Sequence, residues 1–182
     1  HRHDEGLLWM RHVDALAERA GVKDLRRAWV LNNGGTVLMR AGRFDEARTS
    51  LVAALELAEA ADPPDPIALG SFLNNLGGLE MTAGHVDVAH GYLVRGLDVR
   101  EAALGDTHPL LVGSLVNVGN VEVEQRRPHE AQQRFERALA VLEANGGRDH
   151  ARLGAVYLGL DMVRAELGDY EGARVATQQA LV

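Results

Sequence analysis

The stretch LNNLGGLEMTAGHVDVAHGYLVRGL, Leu73 to Leu97, decides the fold of this chain. Its first half sets Leu73, Leu76 and Leu79 at spacings of three, on one face of a helix, and Gly84 follows as a stop. From about Asp87 a second helix begins. It carries Ala89, Leu93, Gly96 and Leu97 at i, i+4, i+7 and i+8, an apolar stripe along about four turns. The unit is therefore helix, tight turn, helix. The run LNNLGG sits awkwardly in it, because Asn competes for backbone hydrogen bonds and a mid-helix Gly costs about 1 kcal/mol relative to Ala.

Working outward, the same unit recurs. LNNGGTVLMRAGRFDEARTSLVAAL starts at Leu31, LVNVGNVEVEQRRPHEAQQRFERAL at Leu115 and YLGLDMVRAELGDYEGARVATQQAL at Tyr157, a constant step of 42 residues without insertion or deletion. Gly42, Gly84 and Gly168 take the turn between the two helices. Arg126 takes it in the third block, where Pro128 helps to start the second helix. Breaker-rich links separate the blocks: ADPPDP at 61–66, LGDTHP at 104–109 and NGGRDH at 145–150. Before the first full block, residues 4–20 read as the second helix of an incomplete repeat, with Trp9 one step back from Leu51 in the same core slot.

This predicts an all-α solenoid of about nine helices in a single array. Residues 1–24 form the leading half-repeat and loop, followed by repeats at 25–66, 67–108 and 109–150 and a truncated one at 151–182. The chain does not begin with Met and stops at Val182 inside a helical pattern, which predicts a piece of a longer polypeptide.

Composition bounds the function. Among 182 residues, 46% are hydrophobic and 25% charged, as in folded soluble chains, while aromatics are only 4%, so Ala, Leu and Val must build the core. A net charge of −7 argues against general affinity for nucleic acid or acidic membrane. With no cysteine there are no disulfides, thiolate nucleophiles or Cys-based zinc sites. No apolar run reaches transmembrane length and HRHDEGLLWM lacks the apolar core of a signal peptide, so a cytoplasmic location is expected.

The array resembles tetratricopeptide repeats, in the longer form of kinesin light chains and many bacterial regulators. Leu73–Leu76–Gly77 and Leu115–Val118–Gly119 match the first-helix pattern, and Leu31–Gly34–Gly35 matches it in part. Ala47–Leu51, Ala89–Leu93 and Ala131–Phe135 match the second-helix pattern, followed by the small residues Ala54, Gly96, Ala138 and Ala180. REAALGDTHP at 100–109 resembles the kinesin-light-chain inter-repeat segment. Leu38, Glu80, Glu122 and Arg164 stand where the family carries Tyr. In the fourth block, Asp161 replaces a small residue and Thr177 a bulky one, as in a distorted repeat or a cap.

The resemblance implies a right-handed superhelix whose first helices line a concave groove, a non-catalytic protein- or peptide-binding role without cofactor, and a place in a larger bacterial regulatory protein. Gly35, Gly77 and Gly119 fall where helices come closest, within one repeat or between neighbours. The spacing and fold of a phosphate loop are absent around GSFLNNLGG. Asn33, Asn75 and Asn117 recur in step, about 200° from the core leucines. On the stripe they define, the expected groove residues are Trp29, Asn33, Thr36 and Arg40; Ser71, Asn75, Met81 and Thr82; Asn117, Asn120 and Glu124; and Met162. Amides suit a peptide backbone because each offers a donor and an acceptor without charge. The same asparagines can instead bond one first helix to the next, and both readings stay open. Trp29 can anchor a ligand or pack on a first helix.

With Arg40 the one basic residue on the stripe, against Glu124 and Glu166, the expected ligand is neutral to partly basic with apolar anchors. A clamp for an acidic C-terminal carboxylate is not expected. A structural solenoid that docks other domains or self-associates is the rival reading. None of the eight histidines makes an H-E-x-x-H pattern, and His108 and His150 read as loop contacts or caps. Glu80 and Glu122, and Arg95 and Arg137, recur in step and read as intra-repeat ion pairs. No metal site, triad or carboxylate pair is evident, so no enzyme activity is expected.

Overall fold

In the computed structural model, residues 24–146 and 150–172 are described, with Leu8, His12, Val13, Ala15, Leu16 and residues 18–21. Seven complete helices follow one another: α1 (Leu25–Arg40), α2 (Phe44–Glu59), α3 (Pro66–Thr82), α4 (Val86–Leu104), α5 (Leu111–Glu124), α6 (Pro128–Ala144) and α7 (His150–Glu166). The described residues between Leu8 and Arg19 are helical too. Trp9 and Thr177, with most of the final helix expected near the C-terminus, lie outside the described residues.

Local chemistry explains the starts and stops. Asp24 caps α1 through the Arg26 N–H, and Asp65 caps α3 through the N–H groups of Ile67 and Ala68, with Pro66 opening that helix. The Leu110 N–H donates to His108 Nδ1 at 3.2 Å, the loop contact expected for that histidine. The hairpin turns need a left-handed residue: φ is +75° at Gly42, +81° at Gly84 and +82° at Gly168. Arg126 adopts φ 59° in the same role. A side chain there costs about 1 kcal/mol or more, and its 3.3 Å contact with Glu166 is at an exposed guanidinium. Arg126→Gly should therefore raise stability by up to about 1 kcal/mol, read as a higher urea midpoint.

Within each repeat the two helices pack at a glycine. A Cβ on Gly35 would lie 2.5 Å from Leu51 Cγ, one on Gly77 would lie 2.4 Å from Leu93 Cγ, and one on Gly119 would lie 2.9 Å from Phe135 Cζ. The close approach is thus between partners of one hairpin. Phe135 stands where the first two repeats have leucine, and its ring reaches on to Gly159 of the next first helix, where a Cβ would fall 2.5 Å from Cε1. This is why the fourth block carries Gly159 in the asparagine slot.

Successive first helices (α1, α3, α5, α7) approach one another closely, and successive second helices (α2, α4, α6) do not. The first helices therefore take the inside of the curve. Long side chains span the wider gaps outside. Arg95 pairs with Glu59, and Arg137 with Glu101, each at 2.5 Å from one second helix to the preceding one. The expectation of intra-repeat pairs is corrected here, because the pairs on these arginines join neighbouring repeats. The carboxylates are corrected in part. Glu80 takes Arg48 Nε at 2.6 Å from the preceding repeat and also touches His85 Nδ1 at 2.6 Å. Glu122 meets Arg134 of its own repeat at 3.2 Å and His90 of the preceding repeat at 3.8 Å.

Candidate functional site

The inner face is built from α1, α3, α5 and α7. Along it Asn33, Arg40, Thr82, Asn120 and Glu124 are exposed, and Thr36, Ser71, Asn75 and Asn117 are half-buried. Met162 is 46% exposed, whereas Met81 is half-buried and packs against the main core. Trp29 is 38% exposed and sets its ring edge-on to Phe72 of α3, with centroids 4.9 Å apart and planes at 78°. The ring thus packs on a first helix, and part of its surface stays accessible.

The hydroxyls turn inward to their own helix. Thr36 donates to the Asn33 carbonyl, Ser71 to that of Ile67 and Thr82 to that of Gly78, at 2.7–2.9 Å. Their lone pairs remain acceptors.

The asparagines form a ladder with a register that the 42-residue alignment does not show. Asn75 Nδ2 donates to Asn32 Oδ1 at 2.8 Å, and Asn117 Nδ2 donates to Asn74 Oδ1 at 3.3 Å. Each bond joins residue i to i+43, the first Asn of one repeat to the second position of the next. This is why the asparagines come in pairs. Asn32 is 98% buried and its amide needs a partner there, so it is structural. Sequence reasoning passed over Asn32 and Asn74. Their double occurrence at adjacent positions was the available signal, since a rung between stacked helices need not join equivalent residues. Each bond fixes one end of the Asn75 and Asn117 amides and leaves their Oδ1 atoms without a hydrogen-bond donor among the described residues. Asn33 is on the same stripe but outside the ladder.

A charge network ties α2 to the C-terminal end of α3. Arg48 holds the Glu80 carboxyl below its ordinary value of 4.5, burial works against that, and His85 adds to it. Among the described residues no group of three His, Asp or Glu could hold a metal ion, and no helix is long and apolar enough to cross a membrane.

Comparison with known proteins places this architecture. A Tetratricopeptide repeat family model matches residues 68–144 and 110–181, and a second one matches 27–61. The chain is a tetratricopeptide repeat protein. Its solenoid superposes on BtubC (BKLC) from P. vanneervenii with TM-score 0.87 at 19% identity, covering 100% of this chain and 73% of that one. TPR-like repeats from a Podosopora anserina protein described as a kinesin light chain give 0.81 at 17% identity, covering 98% and 84%. A Rap protein solved in complex with Competence and Sporulation Factor gives 0.76 at 13% identity, covering 99% of this chain and 58% of that chain. At these identities the likeness establishes the fold. No curated protein sequence matches the chain.

Proposed function

We propose that this tetratricopeptide repeat protein is a non-catalytic scaffold that binds an extended peptide along the inner face of its first helices, as part of a cytoplasmic regulatory protein. One observation carries the reading. The ladder fixes the Asn75 and Asn117 amides on a curved face that stays accessible, so their oxygens can receive ligand N–H groups without paying for side-chain ordering. Asn33 and Asn120 add amides exposed at the rim. Arg40 and Glu124 give the face no dominant sign of charge, which suits a neutral to partly basic peptide with apolar anchors near Trp29 and Met162. Tetratricopeptide arrays commonly serve protein–protein interaction, and the Rap protein of similar fold is itself complexed with Competence and Sporulation Factor, which supports the reading.

The ladder also supports the second reading, a structural solenoid, because its bonds hold first helix to first helix. The two readings separate by where substitutions act. Asn75→Ala strands the buried Asn32 amide and should cost about 1–2 kcal/mol in urea unfolding, whatever the ligand. Asn33→Ala with Asn120→Ala leaves the ladder intact and should leave melting unchanged. Peptides selected from a random display library on the native protein should bind that double variant about tenfold more weakly, as two rim hydrogen bonds together would require. If selection yields no peptide, or the double variant binds as tightly as the native protein, the solenoid has no groove ligand of this kind.

A further inference from the structure

Among the described residues, four buried side-chain oxygen or nitrogen atoms have no hydrogen-bond partner: Arg100 Nε, Glu101 Oε1, Glu122 Oε2 and Gln125 Oε1. All four belong to one place, the junction between the second and third repeats, where α3 and α4 meet α5 and α6. Glu101 still has its ion pair with Arg137, and Gln125 donates across the junction to Asp87 at 2.7 Å. Arg100 and Glu122 are the charged groups left short of partners.

The preceding junction is tied where this one is loose. There Glu80 receives two nitrogens of Arg48, at 2.6 and 3.1 Å. One 42-residue step on, His90 stands in the place of Arg48 and Glu122 in that of Glu80. His90 Nε2 is 3.8 Å from Glu122 Oε1, beyond hydrogen-bond distance, and Arg134 Nε already holds that oxygen at 3.2 Å. The asparagine rung lengthens over the same step, from 2.8 to 3.3 Å.

The packing between inner helices changes as well. Trp29 and Phe72 meet beside Ala58 at the first junction. The equivalent residues are Ser71, Ser114 and Arg100 at the second, and Gly113, Val156 and Leu142 at the third. Only the second set is polar. Arg100 is 9% exposed, and its terminal nitrogens donate to Ser114 Oγ at 2.6 Å and to Ser71 Oγ at 2.9 Å. No carboxylate among the described residues pairs with it, and burial pushes the guanidinium below its ordinary value.

A buried charge with part of its hydrogen-bonding capacity unused is unfavourable, and water restores that capacity when the surfaces part. Parting the first junction would break a two-point ion pair and an aromatic contact. Parting the second would hydrate Arg100 and Glu122. Separation is limited, because the apolar core runs on from Leu93 and Leu97 to Leu111 and Leu115, and the outer pairs measure 2.5 Å at both junctions. We propose that the junction between the second and third repeats is a hinge. Residues 25–104 and 111–166 pivot as two stiff units about this core, and water enters beside Arg100 and Glu122 as the inner helices part. The hinge needs no ligand, so it stands or falls apart from the peptide reading.

The chain has no cysteine, so spin labels on introduced cysteines can test the hinge. Arg40, Thr82 and Glu124 are exposed in the last turns of α1, α3 and α5, one 42-residue step apart. Dipolar electron paramagnetic resonance on Arg40→Cys with Thr82→Cys reads the first junction, and on Thr82→Cys with Glu124→Cys the second. The second distance distribution should be at least about twice as wide as the first. His90→Arg, which brings an arginine to the unpartnered Glu122 Oε2, should narrow it to the width of the first. Arg100→Leu with Ser114→Val, which installs the third junction's residues, should narrow it likewise.

Equal widths at the two junctions of the native protein overturn the hinge. A wide second distribution that neither variant narrows overturns its assignment to Arg100 and Glu122, and narrowing by either folded variant upholds it. If the double variant fails to fold, His90→Arg alone decides.

Discussion

Replacing Gly77 by valine should lower stability by about 3 kcal/mol or more, while the same change at Gly78, the next residue, should shift it by less than about 0.5 kcal/mol. Both sit inside α3, and intrinsic helix propensity would treat them alike. Tertiary contact separates them. A Cβ on Gly77 would fall 2.4 Å from Leu93 Cγ and 3.3 Å from the Ala89 carbonyl oxygen, so α3 and α4 must part or Leu93 must leave its rotamer. Overpacking of this kind costs about 1–3 kcal/mol for small additions, and valine adds three carbons to a site with no room for one. Gly78 meets nothing within 4 Å. Urea unfolding followed by circular dichroism at 222 nm would read both, and equal midpoints for the two variants would refute the packing argument.

Removing the Glu80 carboxylate should cost about 3 kcal/mol at neutral pH and flatten the acid limb of stability. Its side chain is 5% exposed, and it receives Arg48 Nε at 2.6 Å and Arg48 Nη2 at 3.1 Å across the repeat junction. Glu80→Ala leaves the Arg48 guanidinium with exposed Asp45 at 3.3 Å and His85 Nδ1 at 3.4 Å, and removes its buried carboxylate partner across the junction. The direction with pH follows from the carboxyl's lowered pKa. A group depressed in the folded state contributes fully above its unfolded value, here near 4.5, and the contribution disappears as pH falls through the folded value. The stability gap between native protein and Glu80→Gln should therefore be widest near neutrality and close on acidification. A gap that stayed constant to about pH 3 would show that the charge of Glu80 is not what holds the junction.

Much of this architecture is legible in the chain. The 42-residue step, the leucine faces, the turn residues and the capping aspartates are local properties, because helix periodicity and backbone φ depend on neighbours in sequence. They identify the hairpins, and the resemblance they carry leads to the family. The step also marked the asparagines and glycines as recurring, and the face on which they fall. It could not say what each touches. Repeat alignment compares residue i with i+42, but the ladder bonds join i to i+43, because stacked helices are offset by their packing. The arginine pairs expected inside repeats run between them for the same reason.

Arg100 was the position that the alignment could have exposed and the groove stripe could not. It sits on a second helix, far in sequence from Ser71, yet a charge in a slot held by Ala58 and Leu142 was visible in the sequence. What the sequence by itself determined is the repeating secondary structure and the apolar face of each helix, both set by short-range periodicity. Tertiary structure alone decided which asparagines spend their donors on a neighbour, why Gly77 is closed and Gly78 open, and that a guanidinium from the outer helix lies between the serines of two inner ones. Those outcomes depend on the distance and rotation between stacked helices, which packing sets.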